Sequence, residues 1–372
     1  MSKQKNPIAI DAAGGDKPYD AQVEGAVVAF KEFGTKSALV GKEDLIRAKL
    51  EALGAKDLGI EVFNATEEIG MDESPTRSIR KKPDSSLCVA YNLVKDGKAS
   101  SVISAGNSGA MMAAGRFIWG ALPGIERPAI ASLIPKAGEG DVKPNVILDM
   151  GANVDCHAHH LVQFAIMGSI YHETLLKSTK PKVALLSNGE ELSKGTDVTR
   201  AAAQLLKDMD FVNFIGYVEG RDIVTGAADV IVCDGFVGNV ALKTMEGIAR
   251  VIGEQLKIEG SKGPLRKLGM LLSRGILKAV FKKKFDYTSY GGCPLLGLPK
   301  LSLVLHGSSG VRSVKNALKV AAKFDELGMT QKIADAIGQF EETDEDVEVA
   351  EDIGSQFRSG SLNLIKKSKL DS

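Results

Sequence analysis

Short apolar runs alternate along this chain with glycine-bearing polar turns, and most turns lead into apolar residues at helical spacing. The runs Pro7–Ile10, Ser37–Val40, Ile60–Phe63, Ser101–Ser104, Asn145–Met150, Lys182–Leu186, Phe211–Tyr217, Asp229–Cys233 and Leu301–Leu305 predict strands. They are apolar almost throughout rather than every second residue, as in strands buried on both faces. The intervening stretches Ala21–Phe33, Asp44–Leu53, Leu87–Lys95 and Leu161–Tyr171 predict helices. Such alternation predicts an α/β fold, Rossmann-like, with a largely parallel sheet covered by helices on both faces. In that architecture the carboxyl ends of the strands line the ligand crevice. The loops at 11–16, 104–109, 149–155, 187–197, 219–222 and 234–239 are therefore expected to converge on one site.

The stretch Ala228–Ala249 is the most suggestive of these units. A strand breaks at Asp234-Gly235-Phe236-Val237-Gly238-Asn239 and resumes as a helix through Val240, Leu242, Met245 and Ile248. Free N–H groups and the helix dipole at such a turn attract an anion, phosphate above all, and Lys243 adds a formal charge. An ordinary strand-to-helix turn is the plain alternative. The unit Ser104-Ala105-Gly106-Asn107-Ser108-Gly109 repeats the arrangement with hydroxyl and amide groups, matching neither a dinucleotide fingerprint nor a P-loop. After Asp149-Met150-Gly151-Ala152-Asn153, three histidines (His157, His159, His160) open a helix without a paired metal-ligand spacing, and read as exposed helix-start residues. The apolar helix behind them is a candidate subunit interface. The loop 187–197 gathers Asn188, Glu190, Glu191 and Lys194.

Charge then separates two segments from the rest. Arg77, Arg80, Lys81 and Lys82 crowd a polar stretch, Met71–Ser86, that reads as a solvated loop or a partner surface. From Gly260 to Phe285 basic residues occur without acidic ones. Leu265, Leu268, Leu272, Ile276, Ala279 and Val280 share a helical stripe beside Arg266, Lys267, Arg274 and Lys278. A protruding basic amphipathic helix suits anionic lipid or an acidic protein; docking on the core is the equal alternative. The whole chain has 372 residues, with Lys+Arg and Asp+Glu both at 47, so net charge does not point to nucleic acid. No apolar run is long enough for a membrane span or a signal peptide, and the four scattered cysteines suit a reducing compartment. A cytoplasmic protein is expected, with an α/β domain over 1–340, its helical insertion at 255–286, and an acidic tail at 341–372.

Six stretches taken in order carry a resemblance: IAIDAAGGD (8–16), RSIRKKPDSS (77–86), SAGNSGA (104–110), LDMGANVDC (148–156), CDGFVGNVALKT (233–244), and YGGCPLLG with HGSS (290–309). Together they resemble the PlsX family of bacterial phosphate acyltransferases over about residues 8–335. Ala13, Cys293 and Gly310 depart from that family's usual methionine, alanine and acidic residue. The resemblance implies formation of acyl phosphate from acyl-(acyl carrier protein) and inorganic phosphate, at the start of membrane phospholipid synthesis. It also implies a homodimer, a fold similar to isocitrate and isopropylmalate dehydrogenases, and no cofactor or metal. Peripheral contact with an anionic membrane would pass product to a glycerol-phosphate acyltransferase.

Phosphate is itself a nucleophile, so the implied chemistry needs positioning and oxyanion stabilisation rather than a covalent intermediate. Lys194, Asn239, Asn107 and Asn153 are the expected catalytic donors, with Lys243 an alternative at the oxyanion. Asp11, Gly14, Gly15, Ser104, Gly106, Ser108, Asp149, Gly151, Asn188, Glu190, Asp234, Gly235, Gly238, Lys243, His306 and Ser308 complete the expected phosphate and substrate site. Arg77, Arg80, Lys81, Arg266, Lys267, Leu268, Leu272, Arg274 and Lys278 are the expected carrier-protein or membrane surface. Rival readings are a coenzyme A-dependent phosphate acyltransferase, a metal- and NAD-dependent dehydrogenase of the same fold, and a non-enzymatic membrane scaffold.

Overall fold

The computed structural model describes residues 6–136, 138, 142–191, 193–278 and 291–341. Its strands are β1 (Ile8–Asp11), β2 (Ser37–Gly41), β3 (Glu61–Asn64), β4 (Val102–Ser104), β5 (Ala129–Ile130), β6 (Ser132–Ile134), β7 (Asn145–Leu148), β8 (Val183–Leu186), β9 (Phe214–Val218), β10 (Val230–Val232), β11 (Cys293–Leu296) and β12 (Ser302–Val304). The helices are α1 (Asp20–Phe33), α2 (Glu43–Ala52), α3 (Pro75–Lys81), α4 (Ser86–Lys95), α5 (Ser108–Ala114), α6 (Ala158–Leu176), α7 (Asp197–Lys207), α8 (Gly235–Ser261), α9 (Pro264–Leu272), α10 (Arg274–Lys278) and α11 (Val311–Phe324). Not one sheet but two result. The first has seven strands in the order β3-β2-β1-β4-β12-β11-β5, the second five in the order β6-β7-β10-β8-β9. Pairing is parallel except at β5, β6 and β11.

Those three antiparallel strands join the sheets, and none was foreseen from the sequence. β5 pairs with β11 and β6 with β7, so residues 129–134 cross from one sheet to the other. Two or three residues are too short to show a period, and the glycines before β11 make it read as a loop. Both core clusters draw residues from both sheets, Ile8 with Val146 in one and Ala9 with Ile147 in the other. Each of the two apolar layers therefore runs across both sheets.

Asp149, fully buried beyond the end of β7, fixes this junction. Its Oδ1 accepts the backbone N–H of Ile130 at 2.9 Å, between β5 and β6. Its carboxylate also accepts N–H groups of Ala152 and Asn153, and the Asn153 side-chain amide at 2.9 Å. Burial pushes the carboxyl pKa up against the pull of these donors, Ile130 first among them. Helix α8 then starts directly on the loop: Gly235 N–H donates to the Asn153 carbonyl at 2.7 Å. A Cβ at Gly235 would stand 2.7 Å from that oxygen, and one at Gly238 would collide with the Asp149 carbonyl. The two glycines thus serve close approach of helix to loop.

Several local expectations are corrected. Residues 75–81 form α3 rather than a loop, with Pro75 at its first turn. Apolar α6 is no subunit face: residues from His160 through Ser169 are buried, packed on β7, β10 and α7. His160 is likewise buried, its Nε2 2.7 Å from Glu126 and its Nδ1 accepting the His157 N–H, so only His157 of the three is exposed. Burial lowers its pKa, favouring the neutral ring.

The basic segment is not one helix. Gly263, at φ 87°, separates α8 from α9, and Ser273 caps α9 before α10. α8 buries only Gly235 and Gly238, and α9 buries nothing, so the described part of this arm projects from the body. Leu265, Leu272 and Ile276 are 83%, 76% and 70% exposed, which excludes docking of their stripe on this chain's described core. Ala279, Val280 and the side chain of Lys278 lie outside the described residues, as does the tail from residue 342.

Replacing Gly238 with Ala forces α8 off the Asp149 loop. The expected cost is about 1–3 kcal/mol, read as a lower urea midpoint at unchanged slope; an unmoved midpoint would show that this approach is not needed.

Candidate functional site

Strand order decides which of the six loops meet. β1, β4 and β12 lie side by side in the first sheet, and β7 and β10 in the second. Their carboxyl-end loops carry Asp11, Ser104, His306, Asp149 and Asp234. β9 is the far edge of the second sheet and β8 stands between it and β10, so the Lys194 loop neighbours the loop after β10 and the Arg221 loop lies farther to one side. Between the sheets opens a cleft of about 490 Å³.

One end of the cleft is polar. Ser108 and Asn239 reach it from the starts of α5 and α8, and His306, Ser309 and Ser313 from the turn after β12 and the start of α11. Lys243, one turn beyond Asn239, stands 2.9 Å from Glu246 and 3.3 Å from His306 Nε2. His306 Nδ1 accepts the Ser308 backbone N–H at 3.1 Å and lies 2.8 Å from its hydroxyl. A backbone N–H can only donate, so the proton of the neutral ring belongs on Nε2, the atom facing Lys243. Asn239 makes no side-chain hydrogen bond among the described residues and is exposed.

The other end is apolar. Leu242, Met245, Ile248, Ala249 and Ile252 of α8 face Ile130, Leu133, Ile134, Met150 and Val224. Cys293 lines the cleft as well, and burial pushes its thiol pKa up, as it does those of Cys156 (to about 11) and Cys233. A thiol kept protonated is a poor nucleophile.

The expected residues fall into three groups. Ser108, Asn239, Lys243 and His306 line the cleft. A second group builds its walls. Asp11 is buried, accepting the hydroxyls of Ser86 and Ser104 at 2.6 Å, and burial raises its pKa. Ser104 in turn accepts the Gly106 N–H, and a Cβ at Gly14 would stand 2.7 Å from Asp11. Gly15 packs beside Gly307, and Gly151 against Asn239. Asn153 is 5% exposed, its amide held by Asp149 and the Pro128 carbonyl. Asn107 caps α5 through the Ala110 N–H and donates both amide protons, to the Met71 and Glu73 carbonyls. These two amides position loops rather than face the cleft. The N-terminus of α8 is likewise occupied: Asp234 accepts the Val237 N–H and Gly235 donates to Asn153. An anion there would also meet the Asp234 carboxylate, so the expected cradle moves one turn along, to Asn239 and Lys243.

The third group is exposed and outside the lining. Lys194 stands on the loop after β8, without an ion-pair partner among the described residues. Asn188 accepts the Gly195 N–H within that loop, and Glu190 pairs with Arg221. Arg77, Arg80 and Lys81 face outward on α3, with Arg80 over the Phe117 ring, whereas Lys82 is tied to Glu73. Lys82, Gly70 N–H and the Ser78 hydroxyl hold the Glu73 carboxyl down at about 2. Arg266 pairs with Glu259, and Lys267, Leu268 and Arg274 are exposed.

Sequence reasoning missed Glu246, Ser309, Ser313 and the apolar wall. The helical spacing of 239, 242, 243, 246 and 249 places them along one face, which was the available signal. A larger hollow of about 690 Å³ lies by the turn at 307–310, lined by Asp16, Asp20 and Glu24 together with Lys17 and Lys49, the last paired with Asp20. Among the described residues no three His, Cys, Asp or Glu side chains gather as a metal site would require. No helix among them is long and apolar enough to cross a membrane.

A family model described as "Fatty acid synthesis protein" matches residues 7–332. The chain is 47% identical over 332 residues to the phosphate acyltransferase of Citrifermentans bemidjiense, spanning 89% of this chain and 93% of that one. It is 46% identical over 328 residues to the phosphate acyltransferase of Geobacter sulfurreducens, spanning 88% and 93%. Among solved structures, a phosphotransacetylase from Streptococcus pyogenes matches with TM-score 0.57 and 19% identity, over 87% of this chain and 95% of that one. EutD phosphotransacetylase from Staphylococcus aureus gives 0.53 and 15%, over 86% and 94%. At such identities the structural likeness speaks for the fold alone.

Proposed function

Because this chain belongs to the PlsX family of phosphate acyltransferases, we propose that its cleft makes acyl phosphate from inorganic phosphate and an acyl-(acyl carrier protein) thioester, for membrane phospholipid synthesis. The observation that carries this reading is the division of one cavity into a polar end at Asn239, Lys243 and His306 and an apolar end along α8. Phosphate rests against Lys243, with Ser108 and Asn239 donating to it or to the carbonyl oxygen. A phosphate oxygen attacks the thioester carbon, the oxyanion forms, the C–S bond breaks, and the carrier leaves as thiolate. His306 Nε2–H is the proton donor we assign to that thiolate. Lys194, on the loop beside the end of β10, is the exposed cation available to complete phosphate binding.

Lys243→Ala, Asn239→Ala and Lys194→Ala are each expected to fold normally and to lose about 100-fold in turnover, measured as labelled acyl phosphate. A variant with wild-type turnover is thereby removed from the site.

Carrier proteins of this kind are acidic, and α3 presents Arg77, Arg80 and Lys81 beside α5, tied to it through Asn107. We assign α3 as their docking surface. Reversing these three charges to Glu is expected to raise KM for the carrier substrate and flatten its salt dependence. A KM that stays constant would exclude this docking face.

The projecting arm suits a membrane surface, with a second copy of the chain as partner for its body. Leu268→Asp with Leu272→Asp is expected to abolish co-sedimentation with anionic vesicles and leave turnover in solution unchanged. Full retention on vesicles would take the arm out of membrane contact.

A further inference from the structure

We propose that α8 measures the acyl chain: substrate lies along its cleft face, and Ala249 and Ile252 set the longest chain that the cavity holds. This rests on the reading of the cleft as an acyl-transfer site. The residues of α8 that line the cavity change in character in sequence order. Asn239, Leu242, Lys243, Met245 and Glu246 come first, polar and apolar mixed, and only apolar residues follow, Ile248, Ala249 and Ile252. Because a helix advances a fixed distance per residue, that order is also the order of depth from the reacting end. The rise from Lys243 to Ile252 is about 14 Å, the reach of a long acyl group and beyond that of a short one.

The opposite wall supports the same occupant. Ile130, Ile134 and Met150 belong to the core and are fixed by backbone pairing, including the Met150 N–H to Ile130 carbonyl bond at 3.1 Å. The α8 side is open: Ile248 and Ile252 are 55% and 47% exposed. One rigid apolar wall facing an uncovered apolar stripe leaves a slot whose covering gains most from an unbranched chain. A volume of about 490 Å³ is in the range of small-molecule sites. Among the described residues the α8 face of the distal end carries no charged side chain, whereas the proximal end has Lys243 and Glu246 within 2.9 Å.

The consequence is graded selectivity. Ala249 stands about 9 Å along the helix from Lys243, so an octanoyl group only just reaches it, while a long acyl group runs past it. Each methylene kept from apolar contact weakens binding about fourfold. A bulky side chain at 249 therefore acts on long substrates selectively, and a charge at 252 wets the same end.

The test compares acyl phosphate formation from octanoyl, lauroyl and palmitoyl carrier-protein thioesters by wild type, Ala249→Phe and Ile252→Asp. Thermal melting of each variant serves as the folding control. Both positions are solvent-facing on an arm that buries little, so two different substitutions guard against a local effect. The expected result is a fall of about tenfold or more in the palmitoyl-to-octanoyl ratio of kcat/KM, with lauroyl between. A ratio unchanged in both variants, or all three donors lowered alike, overturns the ruler and leaves the reaction standing. A wild-type protein that makes acyl phosphate from none of the donors removes the reaction, and the ruler with it.

Discussion

A buried carboxylate, Asp149, is the constraint on which the rest of the architecture depends. It gathers donors from the strand crossover at Ile130 and from the turn at Ala152 and Asn153. A buried charge left without such donors would be costly, and losing one side of the arrangement would leave several N–H groups unpaired. The crossover and the turn are therefore fixed relative to each other. The turn fixes the start of α8 through Gly235, and α8 carries Asn239 and Lys243 into the cleft. The relation between the two sheets and the position of these cleft-lining side chains thus share one origin.

The first sheet supplies its half of the cleft by a similar device. Asp11 holds Ser86 and Ser104, Ser104 holds Gly106, and Asn107 holds the segment leading to α3. Polar residues that seem suited to contacting a ligand are instead used to shape backbone. The side chains left over, Ser108, Asn239, Lys243 and His306, face the space between the sheets. This division explains how a site built of loops keeps a defined geometry.

Strands buried on both faces were legible as continuous apolar runs, and the parallel order followed from their alternation with helices. The crossover was not: Ala129–Ile130 and Ser132–Ile134 are too short to carry a period, and Pro128 and Pro135 make the segment read as irregular. Residue type marks Asn107 and Asn153 as candidate donors along with Asn239, because amides after strands look much the same in a sequence. Only coordinates separate the two whose protons are taken by carbonyls from the one facing open space. Gly235 and Gly238 suggest an anion site in the sequence, whereas the structure shows them at a close approach of helix to loop, and both uses favour glycine at a helix start. Glu246 was readable as a helical neighbour of Lys243, yet its partner His306 comes from sixty-odd residues away, and nothing local announces it.

The long helix α8 leaves its support behind within its first turns. Beyond them its helicity draws on its own backbone bonds, on α9 packed beside it, and on exposed pairs such as Lys262 with Glu259. A segment held so lightly opens at a free energy well below that of the body. Whatever apolar surface settles along it, whether hydrocarbon chain or lipid, supplies the tertiary contact that the polypeptide itself withholds. Occupancy and order in the arm then rise together, so the arm is most structured when the molecule is at work.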